Sequence, residues 1–525
     1  MDAGFNNSAP PMPDVFEQDF AVITELVHQH AQTRPEHAAL VQGERRLDYA
    51  ALDRMMDLVA AALQRDGLRA GDAIAICAGM SLEYAVVFLG ALRAGVVVAP
   101  LAPGSGTTNL QRMVQDAGAR RVFVDAAVTD LIGQMGPSPD ITLDGSGAGH
   151  PLQHWLNGMG QNPASVAIQP DWPFNIIYSS GTTGEPKGIV QSHLMRWLHV
   201  RRGATYGYGA DTITLLSTPL YSNTTLVVFF PTISAGGTVV LMPKFDAAQY
   251  LALARQHRVT HTMLVPVQYQ RLMAHPDFDS FDLSSFRMKF STSAPFAAPL
   301  KADVLRRWPG GLVEFYGMTE GGGTCLLEAH IYPDKLHTVG RPAAGHDIRL
   351  IDDNGVEVAP GEAGEVVGHS GGMMTAYHGH PQKTREAEWF DPTGKRFIRT
   401  GDIGRFDADG FLILLDRKKD MLISGGFNVY PSDLEAVIRQ HAAVLEVAVV
   451  GVPSERWGET PAAFVVLRDG QAVTADALMQ WTNAQLGKTQ RLGSLQFMAE
   501  LPRSAIGKIL KRELRDLWSP TGVAV

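Results

Sequence analysis

The sequence predicts an α/β fold: a large N-terminal domain of layered α/β subdomains plus a small β-rich subdomain, followed by a small α+β C-terminal domain. Three observations support this prediction. The chain has 525 residues, too many for one ordinary core. Helix-period stretches alternate with short apolar runs as far as about residue 312. The pattern then changes twice, after Val339 and again after Leu415, which indicates two further units.

In the first part of the chain, helices are predicted at 24–32 and 49–65, where apolar residues recur with the helical period. The apolar runs between the helical stretches predict mostly parallel strands. These runs are DAIAICA, VVVAPLA, RRVFVDA, FNIIYSS and TVVLM. The uncharged run from Thr224 to Met242 is long enough to raise the question of a membrane span. Pro231 and the pair Gly236-Gly237 interrupt it, so we expect a buried helix, a turn and a core strand, and no membrane span.

From Val339 onward, short strand-like pieces are separated by Gly, Asp-Gly and Asp-Asn turns, which predicts the β-rich subdomain. The charged patch DRKKD follows, and then DMLIS, SDLEAVIRQH, LEVAVVGV, AAFVVLR and TADALMQWTNAQL alternate between strand and helix patterns. We therefore place an N-terminal domain at 1–415, a hinge at 416–420 and a C-terminal domain at 421–525.

The composition limits the classes of function. Hydrophobic residues make up 45% and charged residues 19%, the balance of a globular protein. Lys plus Arg (45) minus Asp plus Glu (54) gives −9, so no bulk positive field is available for nucleic acid or an anionic membrane. The two cysteines, Cys77 and Cys325, are far apart, which excludes a disulfide framework and a cysteine zinc site. The first residues lack a signal-peptide pattern, and we expect a cytoplasmic protein.

The segment NIIYSSGTTGEPKGIVQSH is the most informative one. An apolar strand leads into small and hydroxylated residues, a Gly-bounded turn, a lysine and then a predicted helix. Glycines let the backbone approach an anion, hydroxyls donate hydrogen bonds and the lysine supplies charge, so we predict a polyphosphate-binding loop. The Walker A spacing is not met, and the alternative is a Ser/Gly-rich surface turn. The predicted contacts are Ser179, Ser180, Gly181, Thr182, Thr183, Gly184 and Lys187.

The string YSSGTTGEPKG resembles the phosphate loop of the adenylate-forming (ANL) superfamily, which includes acyl- and aryl-CoA synthetases, peptide-synthetase adenylation domains and luciferases. Further matches follow in the family's order along almost the whole chain. They are FYGMTE, GEAGEVVGHSGGMMTAYHGHP, RTGD, DRKKDMLISGGFNVYPSDLE and LPRSAIGKILKREL. The resemblance favours the acid–CoA ligase (AMP-forming) branch and implies that the small α+β C-terminal domain is mobile.

Joining a carboxylate to the α-phosphate of ATP brings two anions together, so the site must supply cations and hold the reactants in line. The resemblance implies that Thr182, Thr183 and Lys187 hold the β- and γ-phosphates. It also implies that Glu320 carries Mg²⁺ and that Thr319 reaches the α-phosphate. Without the resemblance, Glu320 would be interpreted as an acidic residue at the N-terminus of a helix. The expected adenine neighbours are Ser293, Ala294, Pro295, Tyr316 and Gly317.

The remaining implied roles lie toward the C-terminal end. Asp402 would accept the ribose hydroxyls, or it is a plain turn residue. Arg417 would contact ribose or phosphate. Lys508 would bridge the substrate carboxylate and ATP during adenylation, and Lys419 would be the hinge about which the small domain rotates. The residues implied for the pantetheine arm of CoA are Gly425, Gly426 and Trp457, with a packed core residue as the alternative for Trp457.

The sequence departs from the family pattern at three places. Ser222 replaces a usual gating His, Ala376-Tyr377 replaces Gly-Tyr, and Glu314 replaces a small residue. The stretch Tyr221 to Phe230 contains no acid that would hold an amino-acid ammonium, so an aromatic or medium-chain acid is preferred. The candidate lining residues, each also readable as ordinary core, are Tyr221, Phe229, Val265, Tyr269, Ala294 and Gly322.

Together these features predict an ATP-dependent acid–CoA ligase that uses ATP, Mg²⁺ and coenzyme A and takes a small-molecule carboxylic acid. No partner domain with a carrier serine is recognised in the sequence, which favours free CoA as the acceptor. The alternatives are an adenylating enzyme that delivers its acyl group to a carrier protein, and a catalytically inactive nucleotide-binding regulator. The sequence leaves open the identity of the acid and the choice between monomer and homodimer.

Overall fold

The computed structural model describes residues 14–132, 135, 140–145, 149–158, 162–179, 186–418, 420–424, 427–454, 457–487, 490–503 and 509–518. The chain divides into two compact units. The larger unit contains Met1–Leu336, Pro342–Asp347 and His369–Ile398. The smaller unit contains His337–Arg341, Ile348–Gly368 and Arg399–Val525.

The α-helices of the described residues are α1 (Ile23–Thr33), α2 (Tyr49–Arg65), α3 (Leu82–Arg93), α4 (Thr107–Asp116), α5 (Ala126–Ile132), α6 (Leu152–Leu156), α7 (His193–Gly203), α8 (Asn223–Ser234), α9 (Ala247–Gln256), α10 (Pro266–Met273), α11 (Ala298–Arg307), α12 (Pro381–Glu386), α13 (Pro431–Ile438), α14 (Ala475–Asn483) and α15 (Lys511–Leu517). Short 3-10 turns occur at Asp14–Glu17, Pro103–Ser105, Ala204–Tyr206 and Phe278–Ser280.

The strands are β1 (Ala38–Gln42), β2 (Arg45–Asp48), β3 (Ala73–Cys77), β4 (Val97–Leu101), β5 (Ala119–Val124), β6 (Ile141–Thr142), β7 (His150–Pro151), β8 (Pro173–Ser179), β9 (Lys187–Ser192), β10 (Ile213–Leu216), β11 (Thr238–Leu241), β12 (His261–Leu264), β13 (Met288–Ser291), β14 (Gly311–Gly317), β15 (Thr324–Glu328), β16 (Arg341–Pro342), β17 (Asp347–Ile351), β18 (Gly364–His369), β19 (Ala376–Tyr377), β20 (Glu388–Phe390), β21 (Arg396–Phe406), β22 (Leu412–Arg417), β23 (Leu422–Ser424), β24 (Phe427–Val429), β25 (Val444–Ser454), β26 (Gly458–Leu467) and β27 (Ser494–Phe497).

Two large sheets form the framework of the larger unit. One has the order β19-β9-β8-β4-β3-β5-β6-β7, and the other has the order β16-β15-β14-β13-β12-β10-β11-β1-β2. Inner strands such as β3, β4 and β5 pair in parallel and are buried, because helices cover both faces of such sheets. A continuous apolar core includes residues of α2, α3 and α8 and of both sheets. The strands on either side of the candidate phosphate loop, β8 and β9, belong to the first of these sheets, and β14 belongs to the second.

Two smaller sheets account for the later part of the chain. One has the order β17-β18-β21-β20, with β22 paired to β21, and the other has the order β24-β23-β26-β25, with β27 paired to β26. The second sheet contributes to a separate apolar cluster with α13 and α14, whose members include Leu434, Val449, Val465 and Leu478. Sequential strands and helices around one cluster give this region the predicted α+β character.

The α/β fold class is confirmed, and the predicted helix at 49–65 coincides with α2. Asp48 fixes the start of that helix, since its carboxylate accepts a hydrogen bond from Ala51 N at 2.7 Å. The run from Thr224 to Met242 forms helix α8, a turn and strand β11, as expected. None of the helices in the described ranges combines the length and the apolar character needed to cross a bilayer. The domain boundaries at 415 and 420 stay a prediction.

One prediction at the phosphate segment is wrong. The residues after the loop do not begin a helix but form β9, which pairs antiparallel with β8, and α7 begins only at His193. Ile189 and Val190 are buried and β-branched, which favours a strand at this place. Ser192 then caps α7 by accepting a hydrogen bond from Met195 N at 3.1 Å. The candidate loop thus connects two strands of a hairpin.

Candidate active site

The phosphate hairpin presents its lysine beside an aromatic ring. Ser179 and Lys187 form the last described pair between β8 and β9. Lys187 Nζ lies 5.2 Å from the centroid of the Tyr377 ring, within the range of a cation–π contact. Tyr377 is placed there because β19 pairs antiparallel with β9, with Tyr377 opposite Ile189. The other predicted phosphate contacts, which are Ser180, Gly181, Thr182, Thr183 and Gly184, lie outside the described residues.

Glu320 is joined to the same tyrosine. Its Oε1 accepts a hydrogen bond from the Tyr377 hydroxyl at 2.8 Å, and only 9% of the Glu320 surface is exposed. Burial, followed by the Glu320 carboxylate, raises the pKa of the Tyr377 hydroxyl, which keeps it protonated and donating. The structure therefore brings Lys187 and Glu320, predicted separately from the sequence, to one tyrosine: Lys187 contacts its ring and Glu320 its hydroxyl.

The backbone of Thr319 is held by two buried polar side chains that are hydrogen-bonded to each other. Gln191 Nε2 donates to the carbonyl oxygen of Thr319 at 2.8 Å. Gln191 Oε1 in turn accepts from Arg196 Nη2 at 2.5 Å, and neither Gln191 nor Arg196 has exposed surface. Because the buried Gln191 amide is hydrogen-bonded through both its nitrogen and its oxygen, it holds the Thr319–Glu320 turn in a defined position.

The residues expected near adenine lie at the ends of two neighbouring strands. β13 and β14 pair in parallel, so Ser293, Ala294 and Pro295, which follow β13, are close in the sheet to the end of β14, where Tyr316 and Gly317 lie. Ser293 has a positive φ of 80°, a conformation that non-glycine residues seldom adopt. Its hydroxyl lies 2.6 Å from that of Thr224, on α8. Strained backbone held by side-chain contacts is typical of functional loops.

In the smaller unit, Asp402 and Arg417 form a pair. Arg417 Nε lies 2.7 Å from Asp402 Oδ1, as neighbours on β21 and β22. Trp457 is 46% exposed, which excludes the alternative that it is a packed core residue. The predicted residues Lys419, Gly425, Gly426 and Lys508 lie outside the described part of the chain.

Two departures from the family pattern have a structural explanation. Ser222 caps α8 by accepting a hydrogen bond from Thr224 N at 3.3 Å. Glu314 is 4% exposed and forms an ion pair with Lys301, which is 1% exposed. Of the candidate lining residues, Phe229, Val265 and Tyr269 are buried, and Tyr269 donates to the carbonyl oxygen of Phe290 at 2.9 Å. Their burial favours the alternative that these three are ordinary core residues.

The described residues offer Glu320 as the candidate magnesium ligand. Within the described ranges, no group of three or more His, Cys, Asp or Glu side chains has the arrangement of a metal site. Mg²⁺ is often held by one or two carboxylates together with substrate phosphates, rather than by a cage of protein ligands. A single buried carboxylate oriented by Tyr377 fits that mode of binding.

Sequence reasoning missed the roles of Tyr377, Gln191 and Arg196. It also missed three basic residues near β14, which are His199, Arg202 and His346. A signal was present in α7, because Met195, Leu198, His199 and Arg202 follow the spacing of one helix face. Basic residues in the last turn of a helix are common for dipole reasons, which concealed it.

Three comparisons with known proteins found matches over most of the chain. Residues 27–378 match the family model described as AMP-binding enzyme, and residues 433–508 match its C-terminal domain. A feruloyl-CoA synthase from an Amycolatopsis species is 33% identical over 93% of this chain and 97% of its own. The fatty acid–[acyl-carrier-protein] ligase ScoC of Streptomyces coeruleorubidus is 32% identical over 93% and 94%. The ATP-bound structure of MatB from Rhodopseudomonas palustris matches with a TM-score of 0.86 at 28% identity, covering 95% of this chain and 100% of that one.

Proposed function

Because the chain belongs to the AMP-binding enzyme family, we propose that it is an ATP-dependent acid–CoA ligase. In the first half-reaction the substrate carboxylate attacks the α-phosphorus of ATP, so an acyl adenylate forms and pyrophosphate leaves. In the second, the thiol of CoA attacks the acyl carbonyl, so a thioester forms and AMP leaves. ATP, Mg²⁺ and CoA are the expected participants.

The observation that carries this proposal is the arrangement of Lys187, Tyr377 and Glu320. The Lys187 ammonium lies over the ring of the buried Tyr377, and the Glu320 carboxylate accepts a hydrogen bond from the hydroxyl of the same tyrosine. Lys187 would neutralise phosphate charge, and Glu320 would hold the metal ion that draws charge from the phosphate oxygens. Thr319, oriented by Gln191, would donate to the α-phosphate. Asp402 and Arg417 would bind the ribose.

The proposed substrate is an aromatic or medium-chain carboxylic acid. The stretch Tyr221 to Phe230 carries no acidic residue that would pair with an amino-acid ammonium. Two relatives are named as a feruloyl-CoA synthase and as a fatty acid–[acyl-carrier-protein] ligase, which supports an aromatic or aliphatic acid. A cytoplasmic location fits the two cysteines, since Cys77 and Cys325 are buried and free.

A second candidate is delivery of the acyl group to a carrier protein. It is favoured by the relative ScoC, which is named as an acyl-carrier-protein ligase. A panel of aryl, medium-chain and dicarboxylic acids, assayed for pyrophosphate and AMP release with and without CoA, separates these candidates. Pyrophosphate release without AMP release in the presence of CoA would favour the carrier protein. Release of neither product with any acid would overturn both and favour a regulator.

The division of labour between the two half-reactions gives a second test. We expect Lys508→Ala to lower adenylate formation about 1,000-fold or more, because the bridging cation is lost. Acyl adenylate supplied from outside should still be converted to the thioester. Arg512→Ala, an exposed cation on α15, is the matched control and should retain both activities. An equal loss of both half-reactions in Lys508→Ala would contradict this role.

A further inference from the structure

Three basic side chains near β14 act on one another electrostatically. His199 and Arg202 are three residues apart on α7 and so share one helix face. The Arg202 guanidinium lies 5.7 Å from the centroid of the Phe315 ring. His346 lies close enough for the Arg202 charge to act on it, and His199 is affected by both. We call Arg202, His199 and His346 the basic cluster.

The hydrogen bonds at the two imidazoles decide which nitrogen is free to donate. His346 Nδ1 accepts from the backbone N–H of Thr324 at 2.9 Å. His199 Nδ1 lies 3.4 Å from Arg196 Nη1, which can only donate. Both rings are therefore neutral, with the proton on Nε2. Burial, and then neighbouring cations and histidines, lower the pKa of His346 to about 4 and that of His199 well below its usual value.

No acidic partner balances the cluster among the described residues. In the described ranges, the Arg202 guanidinium has neither a hydrogen bond nor an ion pair. Burial lowers the pKa of Arg202, and its ring contact with Phe315 compensates only part of the lost hydration. A buried charge without a counter-charge is expensive, so proteins retain one chiefly where a ligand supplies the missing charge.

The cluster is only partly enclosed by the protein. All three side chains keep some accessible surface, although burial is the main cause of their lowered pKa values. The same face of α7 carries Met195 and Leu198, which lie against Gly321 and Gly371. Gly321 follows Glu320 directly, and Thr324 pairs with Gly317. Residues next to the cluster on α7 and on β15 therefore adjoin the segment that carries Thr319 and Glu320.

We propose that the acid adenylated by this protein has a second carboxylate, at the end remote from the reacting one, and that Arg202, His199 and His346 bind it. The proposal rests on the proposed ligase function and narrows its substrate class. The remote carboxylate supplies the charge that Arg202 lacks and accepts the two Nε2 hydrogens. The reacting carboxylate then lies toward Thr319 and Glu320, in a pocket whose wall includes the Phe315 ring.

Matched substrates test the proposal on the unmodified protein. Straight-chain diacids from succinate to sebacate and the benzene dicarboxylates are each compared with their own monomethyl ester, by the rate of pyrophosphate release. For at least one diacid we expect kcat/KM to exceed that of its ester about 100-fold, because the ester loses a charge-assisted interaction. Esters or plain monoacids turned over as well as every diacid would overturn the proposal and leave the ligase function standing. No pyrophosphate with any acid would overturn the ligase function itself, and this proposal with it.

Variants then assign the preference to the cluster. Arg202→Met should lower the diacid-to-ester ratio of kcat/KM about 100-fold, with the loss falling on the diacid. Arg202→Lys should restore part of the ratio. Arg201→Met, the neighbouring position, which lies 3.9 Å from Asp19, is the matched control and should keep the wild-type ratio. A role for Arg202 in folding alone would lower both rates equally, and that result would refute the assignment.

Discussion

One face of β14 carries a cation paired with a carboxylate, and the other contacts a cation that has no such pair among the described residues. Glu314 and Phe315 are neighbours on this strand, so their side chains point to opposite faces. On one face Glu314 is paired with Lys301, and both are almost completely buried. On the other face Phe315 contacts Arg202, for which the described residues provide no ion pair. The difference suggests that a cation paired with a carboxylate, such as Lys301, stabilises the fold, whereas a cation without such a pair, such as Arg202, is available to bind a ligand.

A third buried cation shows why a missing carboxylate alone is not sufficient for that conclusion. Lys289, on β13, has no exposed surface, and burial lowers its pKa to about 7. Its Nζ donates to the carbonyl oxygens of Trp308, Pro309 and Gly310 at 3.2, 2.6 and 2.7 Å. Lys289 is thus satisfied by backbone acceptors at the end of α11, as expected for a structural cation. Among the described residues Arg202 has no such acceptors either.

The largest expected effect concerns the ion pair between Lys301 and Glu314 and is measured as a change in the free energy of unfolding. Lys301→Met should lower the free energy of unfolding by about 3–5 kcal/mol, because it leaves Glu314 buried without its counter-charge. Arg202→Met should leave the free energy of unfolding unchanged or raise it, because it removes a charge that has no protein partner. Urea denaturation of both variants measures the contrast.

Two further variants control this experiment. Lys244→Met, at an exposed position, should have a negligible effect. The double change Lys301→Met with Glu314→Leu should recover most of the lost stability, since both charges are then absent. A loss of stability in Arg202→Met as large as that in Lys301→Met would contradict the distinction between the two faces.

The sequence predicts elements better than it predicts this contrast. Helix α2 and strand β3 follow from local periodicity and capping, which act over a few residues. The hairpin at the phosphate loop was not predicted, because β9 is defined by its pairing with β8 and β19, and pairing is a tertiary property. Whether Arg202 or Lys301 finds a carboxylate depends on residues far away in the chain.

The same limit applies to the candidate site. The resemblance indicates Lys187 and Glu320 through short motifs, and the structure places both beside Tyr377. The tyrosine itself was noted only as part of a departure from the family pattern, since nothing local in the sequence joins Ala376-Tyr377 to the Glu320 turn. Its role depends on β19 pairing with β9.

Glu320 is buried like Glu314 but, like Arg202, has no described counter-charge, and this gives a second prediction. Its carboxylate is buried like Glu314, but the partner described above is the neutral Tyr377 hydroxyl, which leaves its charge available to a metal ion. Tyr377→Phe should lower the rate of pyrophosphate release about 10- to 100-fold, because the metal ligand loses the group that orients it. The apparent affinity for Mg²⁺ should weaken in parallel. Steady-state rates over a range of Mg²⁺ concentrations measure both effects.

Tyr250→Phe is the matched control for that variant. It also removes a buried hydroxyl, one that donates to Thr262 Oγ1 at 2.7 Å in the core, and should leave the Mg²⁺ dependence unchanged. If Tyr377→Phe lowered the free energy of unfolding without changing the Mg²⁺ dependence, Tyr377 would be a structural residue like Lys301.

The smallest expected effect is the contribution of His346, a member of the basic cluster, to the pH dependence of stability. The pKa of His346 is about 4 in the folded protein, against 6.5 as its ordinary value. The unfolded chain therefore binds a proton between these values while the folded one does not, so this contribution to stability is present above pH 6.5 and is lost as the pH falls toward 4. From pH 6.5 to 5.5 the loss is about 1 kcal/mol. His346→Gln, whose amide oxygen can still accept from Thr324 N, should reduce the pH dependence by that amount. The control variant His154→Gln, at an exposed position, should follow the wild-type curve.

A saturating diacid substrate should also reduce the pH dependence of stability, because a bound carboxylate favours the protonated imidazole of His346 and raises its pKa. The monomethyl ester of the same acid should have no such effect, and equal effects of the two compounds would argue against a counter-ion role for the cluster.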